Sequence, residues 1–315
     1  MKNIKNLKVS AVIACYKDEQ SIPLMHERLC STFKKIGCKY EIIFVNDGSP
    51  DESEKILIDI CEKDENTIAI IHSRNFNSQN AFSSGMKHST GDAVVLLDGD
   101  LQDPPELIEN FVVKWLEGND VVYGLREKRE ASKIMNFSYK IFYRIFNKLS
   151  YINIPLDAGD FSLMDRKVVD AINSLKETDR FIRGLRAWTG FTQIGVPYKR
   201  PERQFGKSTN NLFKNIQWAK KGIFSFSHLP LEIMSFISYL IFILSGFAVA
   251  AYVALYFIKD EAPKGITTLI VLVLFLGAMQ LLSISILSEY IAKILDETKK
   301  RPHSIIKKII KKKIN

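Results

Sequence analysis

The 315-residue sequence is sparing with the patterns that usually announce a function. Its four cysteines, Cys15, Cys30, Cys38 and Cys61, form no CxxC pair, and none lies beyond the first quarter of the chain. That disfavours a disulfide scaffold or a four-cysteine zinc module, and the thiols read as reduced and mostly buried. The five histidines, His26, His72, His88, His228 and His303, show no HxH or HExxH spacing, so each reads as structural. No GxGxxG follows the first apolar run and no GxxxxGK[ST] occurs, which argues against a dinucleotide Rossmann domain and a P-loop ATPase. Met1 to Lys8 is polar, so no secretory leader is expected.

Charge is equally uneven. The net charge is +9, but residues 299–315, KKRPHSIIKKIIKKKIN, carry eight Lys or Arg and no acid. The other 298 residues therefore carry only +1. This reads as a basic tail, not a basic fold, and nucleic acid is not expected as a partner. Beside a membrane span such a tail binds anionic headgroups at about 1 kcal/mol per charge. The spans are residues 233–258 and 266–287, nearly charge-free and each long enough for a hydrocarbon core of about 30 Å. Only KDEAPKG separates them, so they are expected to form a tight hairpin with the preceding domain and the tail on one side. The positive-inside rule puts that side in the cytoplasm. The alternative is a hairpin buried in a soluble fold.

Ahead of the spans, apolar strand-length runs alternate with helical spacing. Strands are expected at 8–14, 41–46, 67–71, 93–97 and 121–123, and helices at 21–35, 51–62, 81–88 and 106–117. Such alternation implies a parallel sheet covered by helices, with ligands at the carboxyl ends of the strands. Tyr16, Asp18, Asp47 and Asp98 all fall at those ends.

The stretch VVLLDGDLQDPP, Val94 to Pro105, is the most informative. A buried strand runs into Asp98, Asp100 and Asp103. Asp98 and Asp100 point the same way on an extended chain, and a turn at Gly99 lets them converge. Clustered carboxylates suit Mg²⁺ or Mn²⁺, whose remaining positions are usually filled by substrate phosphates. The plainer alternative is an acidic turn in which Asp103 caps a helix opened by Pro104 and Pro105. Further on, Phe137 to Leu149 mixes aromatics with Lys140, Arg144 and Lys148, as in a helix lying on a membrane or an ordinary basic surface helix. Asp157 and Asp160 flank a glycine, and Arg180, Arg183 and Arg186 recur every three residues beside Trp188.

VNDGSPDES, SRNFNSQNAFSSG, LLDGDLQDPPE, GDFSLMDR and GKS, followed by two spans and EYIAKILDETKKRP, resemble family 2 glycosyltransferases of GT-A fold. Within that family they resemble the polyprenyl-phosphate group of bactoprenol glucosyltransferases and dolichol-phosphate mannose synthases. The resemblance covers nearly the whole chain. It implies an α/β GT-A catalytic domain, Rossmann-like with a mostly parallel sheet, plus a C-terminal two-helix transmembrane hairpin. The expected organisation is a cytoplasmic catalytic domain over 1–210, a juxtamembrane amphipathic segment over 211–230, the hairpin over 231–288 and a basic cytoplasmic tail over 289–315.

The resemblance also implies roles. The family's first-strand motif falls on Ala14, Tyr16, Lys17 and Asp18, and three of those four positions depart from it. Tyr16, Asp18 and Asp47 match contacts to the donor nucleoside. Asp98, Asp100 and Gln102 match the metal and diphosphate group. Arg126, Lys133 and Ser138 fall where relatives hold an acceptor phosphate. Asp160 matches the acidic position proposed as the base, with Asp157 as second choice, and Arg203 and Lys207 match a loop clamping the donor diphosphate. The implied reaction is inverting transfer of a sugar from a UDP-sugar to a membrane polyprenyl phosphate such as undecaprenyl phosphate, for cell-envelope glycan modification. Glucose is the first choice of sugar, with N-acetylglucosamine, mannose or an aminoarabinose derivative as alternatives. Homotetramers, a flippase and a downstream glycosyltransferase are the partners implied.

Three rival readings remain. A processive synthase shares the fold but uses a QxxRW motif, and Arg186-Ala187-Trp188 lacks the glutamine context. A family 2 enzyme with a non-polyprenyl acceptor would use the hairpin only as an anchor. A non-catalytic membrane scaffold would not need the Asp98/Asp100 pair.

Overall fold

The computed structural model describes residues 4–126, 155, 158–205, 227, 229–258 and 265–312. The amphipathic stretch expected at 137–149, most of the juxtamembrane segment, and Lys133, Ser138, Asp157 and Lys207 lie outside the described residues.

Four strands form the centre of one sheet: β1 (Lys8–Cys15), β2 (Lys39–Asn46), β3 (Thr67–His72) and β4 (Ala93–Asp98). They pair in parallel, β4 to β1 to β2 to β3. Being covered on both faces, they read as nearly unbroken apolar runs, which is why the sequence marks them so clearly. Alternate residues serve opposite faces. Val9, Ala11 and Ile13 enter one apolar cluster, and Val12 and Ala14 the other.

Helices α1 (Ile22–Ile36), α2 (Ser53–Lys63) and α4 (Ile108–Leu116) cover the first face. On α1, Ile22, Met25, Leu29 and Phe33 form the buried stripe. The second face is covered by α3 (Ser78–His88), α5 (Arg166–Ser174) and α6 (Ile182–Trp188). Each large aliphatic or aromatic side chain buried there contributes about 1.5–3 kcal/mol.

Toward both edges the sheet departs from the parallel plan. The order is β7-β5-β6-β4-β1-β2-β3-β8, with β5 (Val121–Arg126), β6 (Ala158–Asp165), β7 (Gln193–Tyr198) and β8 (Ile306–Lys311). β6 runs antiparallel between β4 and β5, whereas β5 and β7 are parallel. The architecture is a Rossmann-like, mixed sheet with a parallel centre.

Strand β8 is the main departure from the sequence reading. Residues 289–315 were expected as a tail on the membrane surface. Instead α8 continues to Thr298, and Ile306–Lys311 pairs antiparallel with β3. Lys307 and Lys308 both reach Glu54 on α2, at 3.4 and 2.9 Å. Lysines on an outer strand discourage pairing with another chain, so the basic run also suits an edge.

The hairpin helices are α7 (Leu229–Ile258) and α8 (Ile266–Thr298), both long and apolar enough to cross a membrane. Only 6% of the most apolar window of α7 is buried, and none of that of α8. Phe242, for example, is 78% exposed, so this is not the buried hairpin of a soluble core. The far end of α8 docks on the domain, where Glu297 accepts from the Thr178 N–H at 2.8 Å and from its hydroxyl at 3.1 Å.

Candidate active site

In-register parallel pairing delivers the acidic residues to one edge. Ala14 lies opposite Asp98 on β4, and Cys15 lies opposite Asn46 on β2. The chain beyond those positions forms a cleft of about 320 Å³ lined by Lys17, Asp18, Glu19, Gln20, Pro50, Asp51 and Phe205. Its walls are tied together. The Lys17 N–H donates to Ser49 at 2.8 Å, Ser49 donates to Asp51 at 2.5 Å, and the Glu19 N–H donates to Asp51 at 3.2 Å. Gly48, with φ +64°, turns this wall tightly, and a Cβ there would meet the Arg74 carbonyl carbon at 2.4 Å. Glycine in the DGS motif is therefore a steric requirement.

Of the expected nucleoside contacts, Tyr16 is 36% exposed at this edge. Asp18 accepts from the Tyr16 N–H at 2.9 Å. Burial, together with the charge of Asp100, raises the Asp18 carboxyl to about 6 against the Tyr16 hydrogen bond and Arg203. Asp47 is at the same edge but buried, and its Oδ1 accepts from His72 Nδ1 at 2.8 Å and from the Phe76 N–H at 2.9 Å. His72 and Ser84 continue that network to Ser304, just before β8.

The loop after β4 is organised by Asp103, which is buried. One of its oxygens accepts from the Asp98 N–H at 3.3 Å and the other from the Tyr198 hydroxyl at 3.0 Å. Asp103 thus shapes the turn and caps no helix, since α4 starts at Ile108 after a 3₁₀ turn over Pro105–Leu107. Leu101 takes up the turn with φ +63°, an uncommon backbone for a residue other than glycine. Gln102 donates to the Pro201 carbonyl at 3.2 Å, and its N–H donates to Asp100 at 3.1 Å. It pins the segment that carries two arginines: Arg203 approaches Asp100 at 3.3 Å and Asp18 at 4.0 Å, and Arg200 approaches Asp98 at 3.8 Å.

Negative charge exceeds positive charge here. Desolvation, followed by the carboxylates of Asp103, Asp100 and Asp160, holds the Asp98 carboxyl well above its ordinary range, although a third of the side chain (36%) stays open. An all-oxygen set under mutual repulsion fits a hard divalent cation, which relieves that repulsion. Asp98 and Asp100 are the residues that could hold such an ion.

Continuing the β4–β6 register by two residues places Asp160 across from Asp98. Asp160 accepts from Gln79 Nε2 at 2.9 Å and is paired with Arg183 at 3.3 Å. Burial pushes its carboxyl up, but the charge and hydrogen bonds of Arg183 and the charge of Arg186 outweigh this and leave it below the ordinary carboxylate range. Arg186 is fully buried over the Tyr123 ring, 5.2 Å from its centroid, and among the described residues none of its three guanidinium nitrogens has a hydrogen-bond partner. Desolvation lowers it to about 10, with Arg183 adding to the shift and Asp160 opposing it. Arg126 ends β5 opposite Tyr198 and lies over Gly159, where a Cβ would meet its guanidinium at 2.8 Å. Its charge is felt by Asp103, and against desolvation its own pKa is raised first by Tyr198 and then by Asp103 and Asp98.

The structure thus gathers Asp18, Asp98, Asp100, Arg203, Asp160 and Arg126 around one edge. Gln79, Tyr198, Asp51 and Phe205 join them without having been singled out from sequence, and Arg200 joins them having been read only as one of several cations ahead of the spans. Gln79 sits inside the SRNFNSQNAFSSG motif, so the signal was a polar residue on the buried face of α3.

The family model for glycosyl transferase family 2 matches residues 10–172. An uncharacterized glycosyltransferase of Synechocystis is 40% identical over 303 residues, covering 94% of this chain and 93% of its own. A prophage bactoprenol glucosyl transferase homolog of Escherichia coli is 36% identical, covering 97% and 100%. The bactoprenol glucosyl transferase of Shigella phage SfX is also 36% identical, covering 96% and 99%. The chain belongs to glycosyl transferase family 2 and is a glycosyltransferase related to the bactoprenol glucosyl transferases.

Proposed function

We propose that the chain transfers a sugar from a UDP-sugar to the phosphate of a membrane polyprenol, inverting the anomeric centre. The observation that carries this reading is a carboxylate pair, Asp98 and Asp100, faced by Arg200 and Arg203, in a chain that also has two helices of membrane length. Relatives named bactoprenol glucosyl transferases, matched along almost their full length, support the acceptor and favour glucose.

The donor diphosphate belongs at Asp98, Asp100 and Arg203, with the nucleoside toward Tyr16, Asp18 and Asp47. A divalent Mg²⁺ or Mn²⁺ held by Asp98 and Asp100 supplies charge neutralisation for the diphosphate. Arg203 and Arg200 are paired with carboxylates at 3.3 and 3.8 Å, and an arriving diphosphate offers them a stronger, bidentate partner. As the bond from the anomeric carbon to the diphosphate oxygen breaks, these cations take up the charge on the leaving UDP.

The acceptor brings its own nucleophile. A phosphate monoester has a second pKa near 6, so at pH 7 its oxygen is largely ionised. That oxygen forms the new bond to the anomeric carbon and needs no proton removed. What it needs is screening from the donor's charge, and Arg126 is placed for that. Asp160, held ionised by Arg183, acts in this reading as a fixed anion that orders the cations, not as a proton acceptor.

A membrane acceptor requires a membrane enzyme, because drawing a polyprenyl chain into water costs about 0.8 kcal/mol per CH₂. Helices α7 and α8 meet that need. The reading places the catalytic domain and both ends of the chain in the cytoplasm. A panel of UDP-glucose, UDP-N-acetylglucosamine, GDP-mannose and a UDP-aminoarabinose derivative, each with undecaprenyl phosphate, tests it. Glucose transfer to the lipid is expected. Transfer only to a non-lipid acceptor would overturn it.

A further inference from the structure

At the opposite edge of the sheet from the carboxylate cluster, three different kinds of ligand atom converge. His26 and Cys30 stand one turn apart on α1, at the i, i+4 spacing that puts two side chains on one helix face. Asp64 lies in the connector between α2 and β3, and Thr67 opens β3. His26 Nε2 is 2.9 Å from Asp64 Oδ2, 3.2 Å from Thr67 Oγ1 and 3.5 Å from Cys30 Sγ. The His, Cys and Asp ligand atoms all lie within 4.8 Å of one another, and all three side chains are half-buried.

An ordinary His–Asp ion pair accounts for part of this, but not for its convergence. One ring nitrogen carries one proton or one lone pair, yet a carboxylate, a hydroxyl and a sulfur surround it. Zinc with N at about 2.0–2.1 Å and S at about 2.3 Å gives a tetrahedral N···S edge near ~3.6 Å, which the His26–Cys30 separation of 3.5 Å matches. The corresponding N···O edge is about 3.3 Å, so Asp64 has to open by a few tenths of an ångström from 2.9 Å.

The outer contacts are those of a supported ligand set. The Thr67 hydroxyl donates to Asp64 Oδ2 at 2.5 Å and the Asn66 N–H donates to Asp64 Oδ1 at 3.0 Å, which fixes the carboxylate. A water molecule would fill the fourth position of a tetrahedral ion held there.

We propose that His26, Cys30 and Asp64 form a zinc site, separate from the glycosyltransfer centre, that staples α1 to the α2–β3 connector. Its mixed nitrogen, sulfur and oxygen donors favour Zn²⁺ and disfavour Mg²⁺, which seeks oxygen alone. Binding requires Cys30 as thiolate and His26 as neutral imidazole, so their protons are released to solvent and affinity falls at low pH. The sequence signal is HxxxC, which a search for HxH, HExxH and CxxC passes over.

The test is Co²⁺ titration of the full-length protein in detergent. One equivalent of Co²⁺ is expected to give the intense visible bands of tetrahedral cobalt and a near-ultraviolet sulfur-to-cobalt band, both erased by Zn²⁺ and absent from C30S and H26A. The sulfur band separates this site from Asp98 and Asp100, which have only oxygen to offer. A wild-type spectrum without that band, or a band that survives C30S or follows Cys15 instead, would overturn the proposal. Should the variants misfold, alkylation of Cys30 in the wild-type protein, read by mass spectrometry, answers the same question. Zinc is expected to slow it at least about tenfold, and an unchanged rate would refute the site.

Discussion

Gln79 uses both ends of its side chain, donating from Nε2 to Asp160 at 2.9 Å and accepting at Oε1 from the Ile182 N–H at 2.8 Å. It therefore locks α3, β6 and the start of α6 together around one carboxylate, with Arg183 of α6 as that carboxylate's ion partner. Replacing Gln79 with leucine removes a hydrogen bond to a charged group, worth about 1.5–3 kcal/mol. The expected result is a loss of roughly tenfold or more in kcat with little change in donor KM. Gln79→Glu, which sets a second carboxylate against Asp160, is expected to be worse than leucine. Steady-state kinetics of the two variants checks the order.

The pH dependence follows from the same contacts. Arg183 and Arg186 outweigh burial and hold the Asp160 carboxyl below its unfolded value. The stability this contributes is present above the unfolded pKa and is lost as pH falls through the depressed one. Between pH 5 and 8 Asp160 does not titrate, so the acid limb of activity is expected to track the acceptor phosphate together with Asp18, both near pH 6. Asp160→Asn is expected to lower the rate at every pH without moving that limb. Full recovery at high pH would identify Asp160 as a base and contradict the account.

Removal of either loop carboxylate tests the cation. Asp98→Ala and Asp100→Ala are each expected to cost about 10²-fold or more in kcat and to lose dependence on Mg²⁺ or Mn²⁺. Chelator-treated wild-type protein is expected to behave like these variants until metal is restored. Metal-dependent turnover in Asp98→Ala would remove Asp98 from the ligand set.

Gly48→Ala addresses the cleft wall. A left-handed backbone at a non-glycine residue costs about 1–2 kcal/mol, and the Cβ contact with Arg74 adds to this. A drop of several degrees in apparent melting temperature is expected, with weaker donor binding by calorimetry. An unchanged melting temperature would show that the wall yields freely.

How much of this was legible in the sequence depended on local signal. The parallel centre was, because β1 to β4 are buried on both faces, and β1, β2 and β4 lead into Asp18, Asp47 and Asp98. β6 was not recognised as a strand, because Asp160 and Ser162 interrupt its apolar pattern and the Asp160 carboxylate is satisfied by partners distant in the chain, Gln79 and Arg183. β8 reads as a basic tail because an edge strand carries its lysines outward, and its pairing with β3 joins residues more than 200 positions apart. Asp98, Asp100 and Arg203 were marked by motif. Gln79 and Arg200 were not, since each acquires its role only when strand register brings it beside a carboxylate.

Deleting residues 304–315 is a direct consequence to examine. It uncovers the edge of β3, removes both lysine contacts to Glu54, and takes away the Ser304 end of the Asp47–His72–Ser84 network. Lower thermal stability and self-association by size-exclusion chromatography are the expected outcomes. A monodisperse, equally stable product would show that β8 is dispensable.

The central claim is the identity of the acceptor, and one measurement addresses it most directly. Purified full-length protein is reconstituted with undecaprenyl phosphate, metal and labelled UDP-glucose, and the extracted lipid is examined by mass spectrometry. The account predicts a lipid-phosphate hexose that forms with wild-type protein and not with Asp98→Ala. Donor turnover with no sugar on the lipid phosphate would contradict it.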